Sequence, residues 1–142
     1  MNKGGSQDIL GLRVTMTDAR HSSGFVDNGQ MVYMGEPAGY VIRLEDGRVL
    51  YYSGDTCLFG DMKLIAERTP LDVAIVPIGG HYTMGVDDAA YACGLLDAGT
   101  VLPMHYDTFP AIEADAGEFK QKVESGTDAE VVVLEPGGTH TV

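Results

Sequence analysis

The sequence has no tryptophan, two cysteines, nine basic residues against twenty-one acidic ones, and no long apolar run. Each shortage excludes something. Cys57 and Cys93 stand far apart with no C-x-x-C spacing, which argues for a reducing cytoplasm rather than a disulfide scaffold. The formal net charge of −12 repels phosphate backbones and anionic headgroups, which argues against nucleic-acid and membrane partners. No apolar run approaches the ~20 residues of a spanning helix, and MNKGGSQDIL lacks the apolar core of a signal peptide. There is no G-x-G-x-x-G, P-loop or nucleophile elbow, no internal repeat and no low-complexity tract.

What remains is ordinary for a globular chain. With 142 residues and 44% hydrophobic content, residues 1–142 read as one domain able to bury a core. Asn2 to Asp8 is polar and glycine-rich and reads as a loose lead-in. Leu12 to Thr17 alternates as a strand does. Phe25 to Gly35 carries the turn signals Asp27-Asn28-Gly29, which predict a surface loop with a short strand at Met31 to Met34. Gly39 to Leu44 and Arg48 to Ser53 flank Glu45-Asp46-Gly47 and predict an antiparallel hairpin. A helix is expected from Phe59 to Arg68, ended by Thr69-Pro70. Leu71 to Ile78 is nearly continuous in apolar residues and reads as a strand covered on both faces. A helix starting at Asp87-Asp88 runs to Gly99, followed by a buried strand from Val101 to Met104. A polar, exposed helix over Glu118 to Glu124 and a last strand over Glu130 to Leu134 complete the order. Alternation of strand and helix after Arg48 predicts an α/β fold with parallel pairings joined to an antiparallel hairpin.

Three strands end in residues that bind metals. VLYYSGDT, Val49 to Thr56, delivers Asp55 through a glycine that lets the chain turn sharply; VLPMHY delivers His105; VTMTDARHSSG delivers His21. Each has an ordinary alternative. Asp55 could cap the following helix, His105 could be a hydrogen-bonded core histidine, and His21 could be an exposed loop residue. Together they favour a site, because open α/β sheets place their sites at strand ends. Cys57 follows Asp55-Thr56 closely, next to that site; a free buried thiol is its alternative.

The segments A-R-H-S-S-G around His21, G-D-T at Gly54 to Thr56, D-M-K-L-I at Asp61 to Ile65, P-I-G-G-H-Y-T-M-G at Pro77 to Gly85 and P-M-H-Y-D-T-F-P at Pro103 to Pro110 resemble a family of metal-dependent hydrolases in the metallo-β-lactamase superfamily. The resemblance implies an αβ/βα sandwich, two mixed sheets face to face with helices outside and metals at one edge. It implies that His21 and His105 each ligate one metal, that Asp55 bridges the two, and that a metal-bound hydroxide attacks a small-molecule substrate. Zinc or manganese is the implied cofactor. His81 becomes a catalytic or substrate-contacting residue, and Tyr82, Thr83 and Tyr106 become substrate-binding residues, each with loop packing as its alternative.

The H-x-H-x-D-H motif that supplies the family's other ligands is absent. The resemblance therefore implies a truncated chain, the C-terminal half of the sandwich: a mixed sheet with helices on one side. A catalytic zinc takes about three protein ligands, so this set predicts weak metal binding and weak or no hydrolysis by the chain alone. A non-catalytic half-domain is the alternative. The sheet face that the other half covers in the family is left bare, with Leu12, Val14, Met16, Val41, Tyr51, Val73 or its neighbours, and Val131 or Val133 among the candidates for it. A homodimer or higher homo-oligomer packed sheet on sheet is the expected outcome.

Overall fold

Three hairpins occupy the first part of the chain. The computed structural model describes residues 1–142. β1 (Ser6–Ile9) turns through Leu10-Gly11, both at positive φ, into β2 (Leu12–Asp18). The lead-in expected to be loose is thus an edge strand, paired from Ser6–Thr15 to Ile9–Leu12. Its four residues are all exposed, so backbone pairing rather than burial holds it, and no apolar pattern marks it. β3 (Gly24–Asp27) and β4 (Gln30–Tyr33) form a separate two-stranded ribbon closed by Asn28-Gly29 at φ 48° and 79°. Here too the expectation was short by one strand: the Asn-Gly turn needs a partner strand on each side. β5 (Ala38–Arg43) and β6 (Val49–Tyr52) make the expected antiparallel hairpin, with Gly47 at φ 93° and the Leu44 amide donating to the Arg48 carbonyl at 2.8 Å.

The rest alternates: α1 (Met62–Arg68), β7 (Val73–Pro77), α2 (Val86–Leu96), β8 (Thr100–Met104), α3 (Ala116–Gly126) and β9 (Glu130–Val131). Seven strands form one mixed sheet in the order β1-β2-β5-β6-β7-β8-β9, antiparallel up to β6 and parallel from β6 to β9. Successive right-handed crossovers stepping in one direction put all three helices on the same face. The core lies between them and the row Val41–Tyr51–Ala74–Val101–Val131, with Met62, Ala92, Leu96, Phe119 and Val123 from the helices. This is the α/β half-sandwich expected, a mixed sheet with helices on one side.

Local differences have local causes. α3 is not a polar exposed helix: Phe119 and Val123, one turn apart, are buried on the core and Asp115 caps it by accepting from the Gly117 and Glu118 amides. β9 stops at Val131, short of Leu134. The Val132 amide still donates to the Val101 carbonyl at 2.9 Å, but Pro103 has no N–H to return the next bond. α1 begins at Met62 rather than Phe59.

The sheet's other face carries Val14, Met16, Tyr40, Ile42, Leu50, Tyr52, Ile75 and Leu102, and nothing packs over it. The expectation of β7 covered on both faces fails here: Ile75 in its centre is only half-buried. So are Leu102 and Met104 of β8, expected as a buried strand. The expected membership of this face is also corrected. Leu12, Val14 and Met16 belong to it; Val73 shares its parity but is fully buried between its neighbours, whereas Val41, Tyr51 and Val131 have the opposite parity and join the helix-side core. Val133 lies beyond β9.

Candidate metal centre

The ends of β2, β6, β7 and β8 lie at one edge of the sheet, because β2 and β6 are both antiparallel to β5 and the last three are parallel. The segments that follow them carry His21, Asp55, His81 and His105.

Asp55 leaves β6 through Gly54, whose φ is +64° and whose missing Cβ would stand 2.5 Å from the Ala38 carbonyl oxygen. No side chain fits there. The helix that follows has its N-terminal boundary at Asp61, six residues further on, so Asp55 is not spent on capping it. Its Oδ2 lies 3.5 Å from His105 Nε2, with both side chains partly open to solvent. His105 itself sits at φ 54°, in the left-handed region. The turn is held because the Asp107 amide donates to the Ile112 carbonyl at 2.9 Å and the Asp107 carboxylate accepts from the Ala114 amide at 2.8 Å. From the other side Gly79 packs against the His105 carbonyl so closely that a Cβ would overlap it. His105 Nδ1 is buried without a hydrogen-bond partner, so this is not the satisfied core histidine of the alternative reading.

His21 pairs its Nδ1 with the Ser22 carbonyl oxygen at 2.8 Å, leaving Nε2 free of protein partners. With Asp55 it lines an open groove whose walls include Met34, Pro37, Ala38 and Tyr52. The structure thus brings Asp55 and His105 together and places His21 on Asp55's groove. It forms no cluster of three or more His, Cys, Asp or Glu side chains at metal-holding spacing.

His81 and Tyr82 are exposed on the Gly79–Gly85 loop, ring edge to ring face at 4.4 Å, and Tyr82 stands 6.3 Å from Phe109. They form an aromatic rim. The Thr83 hydroxyl is turned inward, buried and without a partner. Tyr106 is half-buried against the core; burial pushes its phenol up, with the charges of Asp107 and Glu135 adding to the effect.

The residue that sequence reasoning missed is Thr56. It is fully buried, and three segments meet on it. Its hydroxyl accepts from the Arg20 amide at 2.9 Å and donates to the Cys57 carbonyl at 2.8 Å, while its carbonyl accepts from the Met84 amide at 3.1 Å. The Cys57 amide donates back to the Arg20 carbonyl at 3.0 Å. The loops that bear His21, Asp55 and His81 are thereby tied to one residue, the first through its hydroxyl and the last through its backbone carbonyl. A small hydroxyl residue directly after the strand-end Asp was the one available signal. Cys57 is exposed beside this network, and Cys93 is buried in the core.

The sequence profile of the beta-lactamase superfamily domain matches residues 1–106. A metal-dependent hydrolase of Pelotomaculum thermopropionicum is 49% identical over 138 residues, which cover 96% of this chain and 60% of that protein. One from Methanopyrus kandleri is 49% identical over 141 residues, covering 99% of this chain and 61% of that protein. Among solved structures, a metallo hydrolase from the archaeon Ignicoccus hospitalis superposes with a TM-score of 0.83 at 45% identity, over 96% of this chain and 57% of that one. A metallo-beta-lactamase fold protein of Bacillus subtilis, 11% identical over 95% of this chain and 52% of that one, shares the fold at a TM-score of 0.69. The chain spans about three fifths of the length of the curated relatives it matches.

Proposed function

This chain belongs to the beta-lactamase superfamily domain family, and on that premise we propose that it carries part of the site of a metal-dependent hydrolase. His21, Asp55 and His105 are the residues that hold the divalent cation, zinc or manganese. The observation that carries this reading is the Asp55–His105 pair, 3.5 Å apart at the sheet edge, with a buried imidazole nitrogen that no protein group satisfies. Two imidazoles and a carboxylate are the right donor chemistry for such ions. Their number is not, since no three of them cluster in one copy of the chain.

A cation in this position supplies Lewis-acid polarisation of a carbonyl or phosphoryl oxygen. The protein's own contributions are separate. Asp55 presents its charge to the groove with the His105 ring nitrogen 3.5 Å from it; Thr56 fixes the loops that bear His21 and His81. Tyr82 and Tyr106, with His81, contact a small-molecule substrate, while Thr83, its hydroxyl buried, does not reach it, contrary to the expectation from sequence. With an incomplete ligand set, hydrolysis by the chain alone is weak.

Metal retention tests this. After loading with zinc or manganese and dialysis, mass spectrometry should find metal bound to the chain and lost from His105→Ala. Equal retention by both proteins defeats the assignment. The absence of a three-ligand cluster favours the second reading, a half-domain without catalysis, and no retained metal in either protein would select it.

A further inference from the structure

The helix layer stops short of the sheet's first strands. β1, β2 and β5 are antiparallel neighbours and need no crossover helix, so α1 is the last helix on that side. A cleft of about 620 Å³ opens between α1 and these strands, a volume in the range of small-molecule sites. Register sets its floor. Ser6 and Thr15 lie in the same row as Val41, on the side of the helices, and Thr17 follows two residues on. Asp8 and Arg13 continue that side, so the β1–β2 flank is polar throughout. It is a solvent face and not a seat for another apolar layer. The cleft's wall is one stripe of the helix, Asp61, Leu64, Ile65 and Arg68, at i, i+3, i+4 and i+7.

The two ends of the stripe differ. At Asp61 the charges are paired: Arg20 lies 3.8 Å from Asp61 and 3.6 Å from Asp18, and Lys3 reaches Asp18 at 2.5 Å. At the other end Arg68 has no partner. It is the one basic side chain of nine with neither an ion pair nor a hydrogen bond, in a chain with twenty-one acidic residues. Between the ends Leu64 is 53% exposed, a large apolar side chain left in solvent. A basic residue in the last turn of a helix complements the helix dipole, but that role explains neither the exposed Leu64 nor the cleft.

We propose that this cleft binds a small amphipathic carboxylate, its head on the Arg68 guanidinium and its apolar body along Leu64, Ile65 and Val41. A guanidinium holds a carboxylate by two parallel N–H···O bonds. The hydroxyls of Ser6 and Thr15, 2.8 Å apart on the floor, add polar contact. The paired charges at the Asp61 end leave no free cation there, so the ligand carries one anionic group. Asp61 and Arg68 are separated by about 10 Å of helix rise, which limits the body to roughly the length of an eight-carbon chain. The inference does not rest on the hydrolase reading: His21, Asp55 and His105 are not among the residues that line the cleft, and binding is measured without metal.

The experiment is an amide NMR titration of the whole chain with octanoate, with octanol and inorganic phosphate as comparisons. Octanoate should shift the amides of Ser6, Thr15, Leu64 and Arg68 in a saturable way. It should bind about 10-fold or more tightly than either comparison, because the charge-assisted pair and the apolar contact are both needed. Arg68→Gln should bring octanoate to the level of octanol, and Leu64→Ser should weaken both. Arg68 and Leu64 are exposed, so these changes spare the core. Should either variant fail to fold, the three ligands on the unaltered chain still decide. Equal affinity for octanoate and octanol, or for octanoate and phosphate, overturns the proposal. So do shifts spread over the whole surface, no shifts at millimolar octanoate, or a folded Arg68→Gln chain that binds octanoate as the unaltered one does.

Discussion

The Arg20 amide donates to the Thr56 hydroxyl at 2.9 Å, and this bond sets where the His21 segment leaves the sheet. Two loops distant in sequence are joined by a buried side chain whose hydroxyl is spent on the Arg20 amide and the Cys57 carbonyl. Thr56 is a positioning residue, and its removal separates stability from binding.

Thr56→Val keeps the shape and removes the hydroxyl, stranding the Arg20 amide. We expect a loss of about 1–3 kcal/mol in urea unfolding, the cost of an unsatisfied buried donor. Thr56→Ser should restore most of it. Zinc retention should fall further in Thr56→Val than in a core variant of equal stability, because the His21 loop is released.

Gly79→Ala tests the packing beneath His105. A Cβ there overlaps the His105 carbonyl oxygen and comes within 2.9 Å of Ile112 Cβ, so the His105 turn must move. Overpacking of this kind costs about 1–3 kcal/mol. The His105 ring resonances in an NMR spectrum should shift more than those of His140, which lies in the tail.

Lys3 and Asp18 test the edge hairpin. The hydrogen bond from the Lys3 ammonium holds the Asp18 carboxyl below its usual value of 3.8, against a smaller opposing effect of burial. Because the folded pKa is depressed, the contribution is present above 3.8 and is lost as pH falls through the folded value. Both side chains are partly exposed, so its size is under about 1 kcal/mol. Lys3→Met should lower Tm slightly at neutral pH and leave it unchanged in acid below the folded value.

The two thiols should differ sharply. Burial pushes the Cys93 thiol up to about 12, while Cys57 is exposed. A thiol reagent at neutral pH should titrate one cysteine in the folded chain and the second only on unfolding. The sign for stability is opposite to that of Asp18. Above the ordinary thiol value of 9.0 the unfolded chain ionises while the fold holds Cys93 neutral, so this group lowers stability as pH rises towards 12.

Much of this protein was legible in its sequence because the signals are local. The Glu45-Asp46-Gly47 turn, the apolar run of β7, the strand-end glycine before Asp55 and the alternation of strand and helix each follow from residues close together in the chain. The family resemblance rests on motifs of the same kind, and the matching profile agrees with it. β1 was not legible, since an exposed edge strand has no apolar pattern. Nor was the buried side of α3, where only Phe119 and Val123 mark the face in a mostly polar segment.

Local sequence sets which residues end the strands and therefore which chemistry reaches the sheet edge: His21, Asp55, His105. Which of them meet is a matter of how the chain folds back on itself. The 3.5 Å approach of Asp55 and His105 depends on two separate crossovers, on Gly79 lying under the His105 turn and on Asp107 bracing it. The fold likewise decides which apolar residues are covered. Parity along a strand says that Tyr51 and Tyr52 face opposite ways, but only the handedness of the crossovers puts the helices over Tyr51 and leaves Tyr52 open.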